Sequence, residues 1–198
     1  MTAEAVIQAW DQADPTAIHP LRRVSEDAYW GSGKAQADML ATVIPDGAKV
    51  MDFGCGDGRV AIPMAAHGYD VTAVDSSQRM LNRLTERAPD ITTVQAAADG
   101  IAGHLGRRRM DAVYALAVLI HHSYDDGLHI IGKLRAATKL GGILVLDWPV
   151  SDQPGEADSW IGVTTWSRQQ QDDACSQIGL ESVDSGLPWG VYRAVKTN

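Results

Sequence analysis

The sequence lacks the features that mark several large classes of protein. Its two cysteines, Cys55 and Cys175, are too few and too far apart for a disulfide framework, which favours a reducing, cytoplasmic setting. No run of about 18 apolar residues occurs, and the first residues have no basic start before a long apolar core, so we expect neither a membrane span nor a signal peptide. Hydrophobic residues make up 45% of the 198 residues, which is ordinary for one globular domain.

Positive charge is also scarce. Lys and Arg number 17 against 25 Asp and Glu, so the formal net charge is −8, and the one basic run covers residues 107–109. A domain that binds nucleic acid usually carries a basic face, because neutralising phosphates supplies much of the affinity. We therefore expect no nucleic-acid partner. The His, Cys and carboxylate residues show no spacing typical of a metal site, and we expect none.

Strands and helices alternate along the middle of the chain. Short apolar runs predict strands at residues 48–53, 69–75, 91–97, 110–118 and 141–148, and segments with helical spacing separate them. This alternation predicts an α/β fold with a doubly wound, mostly parallel sheet. The tail, residues 180–198, reads as a hairpin that would complete a seven-stranded sheet with an antiparallel last strand.

The stretch "VMDFGCGDGRVAIPMA", residues 50–65, places three glycines directly after the first of these strands. Ligands of open parallel sheets bind at the carboxyl ends of the strands, and glycines there allow a sharp turn and a close approach to the backbone. A dinucleotide fingerprint would need its third glycine at position 59, where the chain has Arg59. Acidic residues at the ends of the first three strands, Asp52, Asp75 and Asp99, favour a ligand that carries hydroxyl or amino groups.

These motifs as a set resemble the class I S-adenosylmethionine-dependent methyltransferases. The glycine stretch is similar to their first motif, "VTAVDSSQRML" to the second, "AAADG" to the third, "YALAVLIHHSYDD" to the fourth, and "LRAATKLGGILVLDW" to the stretch around strand five. Leu140 stands where the family usually has proline, and the resemblance covers residues 45–148. It implies a Rossmann-like fold and S-adenosylmethionine as the cofactor.

The resemblance also implies which residues hold the methionine and ribose parts of that cofactor. Gly54, Gly56 and Gly58 would line the methionine portion, with Asp52 orienting the loop or meeting the amino group. Asp75, at the end of the second strand, would accept hydrogen bonds from the ribose hydroxyls.

Further residues are implied near the adenine and the sulfonium. They are Ser76, Met80, Asp99, Gly100, Ala115 and Leu116. Ser76 and Met80 would flank the adenine. A position in the core of its helix would explain Met80 equally well. Asp99 would accept from the adenine amino group with Gly100 beside it, and Ala115 and Leu116 would lie near the sulfonium.

The acceptor side is less determined by the sequence. His122, with His121 next to it, follows the fourth predicted strand and is a candidate general base, but a packing or capping role explains it equally well. Trp148, Trp160 and Trp166 would either line an acceptor pocket or pack in the core.

We also expect a division of the chain into three parts within one methyltransferase domain. Residues 1–44 would form a helical flap, in which residues 26–34 with Trp30 fold over the cofactor as a mobile cover. Residues 45–148 would form the cofactor-binding core. Residues 149–198 would supply an acceptor loop, a helix and the terminal hairpin.

The expected activity is methyl transfer to an oxygen or nitrogen of a small-molecule acceptor. The chain has no Asn-Pro-Pro-Tyr or Asp-Pro-Pro-Tyr motif and no Pro-Cys dipeptide, which disfavours methylation of nucleic-acid bases. A peptide or protein side chain as acceptor, and a cofactor-binding protein without turnover, remain open as alternatives. The glycine spacing counts against a nicotinamide oxidoreductase.

Overall fold

The computed structural model describes residues 3–12, 17–19 and 22–197. The helices are α1 (Ala3–Gln12), α2 (Glu26–Leu40), α3 (Ala61–Ala66), α4 (Gln78–Arg87), α5 (Ile101–Leu105), α6 (Tyr124–Ala137) and α7 (Arg168–Ile178). The strands are β1 (Ala17–His19), β2 (Arg22–Arg23), β3 (Lys49–Phe53), β4 (Asp70–Asp75), β5 (Thr92–Gln95), β6 (Met110–Ala115), β7 (Thr138–Leu146), β8 (Leu180–Val183) and β9 (Gly190–Ala194). Short 3-10 turns at Ala98–Gly100 and Leu119–His121 follow β5 and β6.

Seven of the described strands form one sheet, in the order β5-β4-β3-β6-β7-β9-β8. β3 pairs in parallel with β4 and β6, and the parallel pairing continues to β5 on one side and β7 on the other. β9 runs antiparallel to both β7 and β8. The predicted doubly wound, mostly parallel sheet with an antiparallel last strand is confirmed. Because the strand order reverses between β3 and β6, a crevice is expected at their carboxyl ends.

Alternate residues of the central strands face opposite sides of the sheet. Met51 and Val113 belong to an apolar cluster with α5, α6 and α7, whereas Val50 and Tyr114 belong to a second cluster with α2, α3 and α4. The last four residues of β3 are all buried in consequence. This two-sided burial explains why the strands appear in the sequence as continuous apolar runs rather than as alternating patterns.

Serine side chains begin the helices that follow the carboxyl edge of the sheet. Ser77 Oγ accepts from Met80 N at the start of α4, and Ser123 Oγ accepts from Asp126 N at the start of α6, both at 3.2 Å. Such caps satisfy N–H groups that have no partner within the helix. They fix where each helix begins relative to the strand end before it.

The N-terminal part differs from the sequence prediction in one respect. Residues 26–34, predicted as a mobile cover, form the first part of helix α2, which begins after the cap Ser25. Gly33 is buried there, and a Cβ on it would lie 2.0 Å from the carbonyl oxygen of Arg59. The glycine therefore serves a close approach of α2 to the loop after β3. In the described part of the chain, no helix has the length and apolar character needed to cross a membrane.

Candidate active site

A cavity of about 360 Å³ lies at the carboxyl edge of the sheet. The ends of β3 and β4 and the segments after β5 and β6 contribute to its lining, together with the first half of α6. Helix α1 adds Val6, Ile7 and Trp10 from the N-terminal part. The volume falls within the range of small-molecule sites. The cavity therefore occupies the position that the strand order predicts for a ligand.

The glycine loop after β3 forms one wall of this cavity. Gly54 and Gly58 have φ values of 76° and 92°. A Cβ would lie 2.3 Å from Val118 Cγ2 at the first position and 2.4 Å from Leu84 Cδ1 at the second. Both positions thus require glycine for conformation and for space. Gly54 and Gly56 line the cavity, whereas Gly58 packs behind the loop against α4.

Asp75, at the end of β4, is tied to the glycine loop. Its Oδ2 accepts from Gly56 N at 2.8 Å, and its Oδ1 accepts from Ser77 N at 2.8 Å. Burial raises the pKa of this carboxyl, and these backbone donors act in the opposite direction. A carboxylate offers about four lone-pair positions. Since Asp75 also lines the cavity, each oxygen retains the capacity to accept one more hydrogen bond from a ligand.

Asp52 and Tyr114 are neighbours across β3 and β6, and both are buried. Asp52 Oδ2 and the Tyr114 hydroxyl have no hydrogen-bond partner among the described residues. Burial raises the pKa of Asp52 to about 7, against the opposing effects of the nearby Tyr114 hydroxyl and the Arg59 charge. Asp52 lines the cavity, so its carboxyl is a candidate partner for a donor or a positive charge on a ligand.

The residues predicted near the adenine lie around the ends of β4 and β5. Ser76, Met80 and Asp99 line the cavity, whereas Gly100 ends the 3-10 turn outside the lining. Met80 is also buried in α4, so it is both helix core and cavity wall. Asp99 Oδ1 lies 2.9 Å from Lys133 Nζ and 2.8 Å from a histidine of α6, and both contacts lower the pKa of Asp99.

At the end of β6 the chain turns sharply along the cavity. Ala115 is buried within the strand, and Leu116, Ala117 and Val118 line the cavity after it. Ala117 has a φ of 58°, in the left-handed region that a residue with a side chain rarely adopts. Its N–H donates to Asp147 Oδ2 at 3.2 Å, which holds this conformation. The strained turn directs the following residues across the mouth of the cavity.

Both predicted histidines line the cavity. Residues 119–121 form a 3-10 turn, which allows His121 and His122 to face the same space. His122 Nδ1 is buried without a hydrogen-bond partner among the described residues. Burial lowers the pKa of His122, with Asp126 acting in the opposite direction. The imidazole is therefore neutral near pH 7, the state in which it can accept a proton.

Two of the three tryptophans predicted near the acceptor belong to the core. Trp148 and Trp166 are each 3% exposed, and their ring centroids are 5.4 Å apart. Tyr124 and Tyr192 extend this cluster at 4.6 Å from Trp166 and 5.8 Å from Trp148. Trp160 lies apart from these four rings and contacts α1. None of the three tryptophans lines the cavity, but Trp160 lies 5.2 Å, between ring centroids, from Trp10, which does.

Asp57 is a buried loop residue that the sequence analysis did not single out. Its Oδ1 accepts from the Tyr29 hydroxyl at 2.7 Å, and its Oδ2 accepts from Arg87 Nη1 at 3.1 Å. Asp57 thereby links the glycine loop to α2 and to the end of α4. Trp30 packs on this link, with its ring 4.9 Å from the Arg87 guanidinium, and lies outside the cavity lining. No group of three or more His, Cys, Asp or Glu side chains among the described residues is placed to hold a metal ion.

Comparison with known protein families agrees with this geometry. Residues 50–142 match the family model described as a methyltransferase domain. The chain contains a class I S-adenosylmethionine-dependent methyltransferase domain. The resemblance that the sequence motifs show is thereby confirmed, and the matched residues include the glycine loop, Asp75 and both histidines.

The relatives of this methyltransferase domain have names that specify different small molecules. Magnesium-protoporphyrin O-methyltransferase of Rhodobacter capsulatus is 33% identical over 142 residues, which are 68% of this chain and 58% of that protein. 2-Methyl-6-phytyl-1,4-hydroquinone methyltransferase of Synechocystis sp. (strain ATCC 27184 / PCC 6803 / Kazusa) is 32% identical over 128 residues, 63% of this chain and 38% of that protein. The chain spans about half the length of the curated relatives it matches.

Solved structures share the fold of the methyltransferase domain. Magnesium protoporphyrin IX methyltransferase from Synechocystis PCC 6803, solved with bound SAM, aligns with a TM-score of 0.69. The alignment covers 99% of this chain and 100% of that chain, at 17% sequence identity. At this identity the likeness shows the Rossmann-like fold and nothing finer.

Proposed function

We propose that the chain is an S-adenosylmethionine-dependent methyltransferase that transfers a methyl group to an oxygen or nitrogen of a small molecule. The observation that carries this proposal is the bond between Gly56 N and Asp75 Oδ2 at the edge of the cavity. It brings the glycine loop and the acidic strand end together around one space, inside a methyltransferase domain.

The methionine and ribose parts of the cofactor fit the groups that the cavity presents. Asp52 Oδ2, unpaired within the described residues, would receive the ammonium group. Asp75 would accept from the ribose hydroxyls, since its two backbone bonds leave lone pairs on both oxygens. Gly54 and Gly56 would line the methionine chain, where a Cβ on Gly56 would meet no atom within 4 Å.

The adenine would lie on the far side of Asp75. Ser76 and Met80 would flank it, and Asp99 would accept from its amino group, with Gly100 beside that carboxylate. The lining at the end of β6, Leu116 with Ala115 behind it, would lie near the sulfonium.

When bound, this cofactor supplies a methyl carbon on a positively charged sulfur, which an acceptor lone pair can displace. The chain would then align the acceptor and remove its proton where the acceptor needs it. His122 is the proposed base, because its ring lines the cavity and burial keeps the ring neutral. His121 Nδ1 lies 3.1 Å from Gly162 O, so this ring is held by the loop and is the second candidate.

A small acceptor fits the cavity better than a peptide or protein side chain. Val6, Ile7 and Trp10 of α1 line the cavity, which makes this side a covered pocket instead of an open groove. The relatives named above support the same class, since their names specify a porphyrin and a hydroquinone. A cytoplasmic setting stays our proposal, supported by two free, buried thiols at Cys55 and Cys175.

The test is a calorimetric titration of the purified chain with S-adenosylmethionine, S-adenosylhomocysteine and, as a control, NADH. We expect both sulfur compounds to bind and NADH to show no heat of binding. Binding followed by transfer of labelled methyl groups to a small-molecule fraction would distinguish an enzyme from a cofactor-binding protein without turnover. A preference for NADH, or no binding of either sulfur compound, would overturn the proposal.

A further inference from the structure

Three aromatic rings from distant parts of the chain meet at the acceptor side of the cavity. Trp10 belongs to α1, His121 to the turn after β6, and Trp160 to the loop after β7. The Trp10 centroid lies 5.2 Å from that of His121 and 5.2 Å from that of Trp160. We call these three residues the aromatic triad.

The rings of the triad meet at an angle instead of stacking. The Trp10 and Trp160 planes are 85° apart, and the Trp10 and His121 planes are 52° apart. Parallel stacking would cover the ring faces, whereas edge contacts leave part of each face for another ring. Trp10 and His121 both line the cavity, and all three side chains are only half-buried. Trp10 and His121 therefore face the cavity, and Trp160 packs against Trp10 from outside the lining.

The acceptor side offers little to an anion. Arg59 is the one Lys or Arg side chain in the described lining of the cavity, and its guanidinium donates to Ser32 Oγ at 3.0 Å beside the Tyr29 ring, next to the glycine loop. The charged side chain near the histidines is the carboxylate of Asp126. An anionic acceptor would lose hydration there and meet a carboxylate in place of a cation.

We propose that the aromatic triad binds an uncharged, planar aromatic or heteroaromatic ring that carries the acceptor oxygen or nitrogen. This inference rests on the proposed methyl transfer, because it names the acceptor class for the same cavity. The ring would pack on Trp10 and on the apolar lining residues Val118 and Ile130. Its nucleophilic group would face His122, which follows His121 directly in the lining.

A ligand series on the unaltered chain tests this proposal. The chain, saturated with S-adenosylhomocysteine, is titrated by calorimetry with 2-naphthol, decahydro-2-naphthol and 6-hydroxy-2-naphthoate, which share a bicyclic frame and differ in planarity or charge. We expect 2-naphthol to bind about tenfold more tightly than the other two. Equal affinity for the saturated alcohol, tighter binding of the carboxylate, or no binding of 2-naphthol would each overturn the proposal.

Variants of the triad locate the effect. Trp10→Leu and Trp160→Leu keep an apolar side chain and remove the aromatic ring, the first at the cavity wall and the second behind Trp10, so each should weaken 2-naphthol binding about five- to tenfold. Trp10→Phe should retain most of the affinity. Trp189→Leu is the matched control, because Trp189 packs against the second apolar cluster outside the cavity lining. Unchanged 2-naphthol affinity in both leucine variants would contradict the role of the triad.

The acceptor class and the proposed function can fail separately. Binding of S-adenosylhomocysteine without selectivity for the planar neutral ring contradicts the acceptor class and leaves the methyltransferase proposal standing. Failure of S-adenosylhomocysteine to bind overturns both. The ligand series decides the proposal by itself if a tryptophan variant does not fold.

Discussion

The two halves of the cavity are assembled in different ways. The cofactor half consists of the glycine loop, residues 54–58, and the ends of β4 and β5. Its central contact, Gly56 N to Asp75 Oδ2, joins the loop after β3 to the last residue of the adjacent parallel strand β4. The acceptor half consists of α1, residues 116–130 and the loop at 149–166. Its central contact joins Trp10, His121 and Trp160, which lie in three distant segments.

The acceptor half also depends on how one loop is fastened to the histidine turn. Thr164 N donates to Ile120 O at 2.7 Å, and Thr164 Oγ1 donates to His122 O at 2.6 Å. The buried Thr164 therefore fixes the backbone on which both histidines sit. The comparison teaches that the parallel sheet brings the cofactor residues to one edge, where α2 and α4 hold the glycine loop, whereas the acceptor residues meet only through contacts between segments that are distant in the sequence. Changes in the two halves should accordingly separate cofactor affinity from turnover.

The largest expected effect is a loss of turnover from a change in the acceptor half. His122→Ala should lower turnover by about 10²- to 10⁴-fold, the usual contribution of general base catalysis, and leave S-adenosylhomocysteine affinity unchanged. Activity of the unaltered chain should fall only below the usual histidine pKa of about 6.5, because burial lowers the pKa of His122. The measurement is methyl transfer against pH. His104→Ala, which changes an exposed histidine of α5, is the control. Full activity of His122→Ala would show that His122 is not the base.

The next largest effect is a loss of cofactor affinity from a change in the cofactor half. Asp75→Ala should weaken binding of S-adenosylhomocysteine by about 1–3 kcal/mol, because ribose hydroxyls and two backbone N–H groups lose their acceptor. Calorimetry gives the affinity. Asp70→Ala is the control at the exposed start of the same strand, where the side chain is 63% exposed. An affinity equal to that of the control would sink the ribose assignment.

A pair of glycine variants tests how α2 supports the cofactor half. Gly33→Ala should reduce the free energy of unfolding by about 1–3 kcal/mol, since its Cβ would overlap the Arg59 carbonyl. Gly31→Ala, one half-turn earlier, meets no atom within 4 Å and should stabilise the helix by up to about 1 kcal/mol. Denaturant unfolding measures both. Shifts of the same sign would contradict the close contact between α2 and the loop.

The last prediction concerns the pH dependence of stability. Since the pKa of Asp52 is raised to about 7, the folded chain keeps a proton that the unfolded chain loses near pH 4. The stability from Asp52 is thus complete below about pH 4 and is lost as pH rises through about 7. Asp52→Asn, which cannot ionise, should flatten this dependence. Unfolding measured at pH 5 and pH 8 in both chains tests it, and identical slopes would count against the raised pKa.

Most of the cofactor half follows from the sequence because its signals are local. The strand that contains Asp52 is an apolar run between glycines, and Asp75 ends the next such run. Once strands of this type form a parallel sheet, their carboxyl ends must meet at one edge. The role of Asp57 cannot be predicted in this way, because its partners Tyr29 and Arg87 come from two separate helices.

The sequence predicts the acceptor half and the N-terminal part less well than the cofactor half. The sequence around Gly31 and Gly33 is typical of a mobile cover, but Gly33 contacts the Arg59 backbone, which only the folded structure brings near. Trp148 and Trp166 follow a strand in a way that fits either pocket or core, and tertiary packing decides for the core. Trp10 lies in an amphipathic helix, and the apolar pattern of that helix does not indicate that it covers a cavity.

The most direct test of the account is an amide NMR titration of the chain with S-adenosylhomocysteine, with NADH as control. The account predicts shifts at Gly54, Gly56 and Ser77 and around Asp99, with the β8–β9 hairpin unchanged. It predicts no such shifts with NADH. Shifts confined to other parts of the chain, or none with S-adenosylhomocysteine, would contradict the claim that the carboxyl edge of the sheet holds the methyl donor.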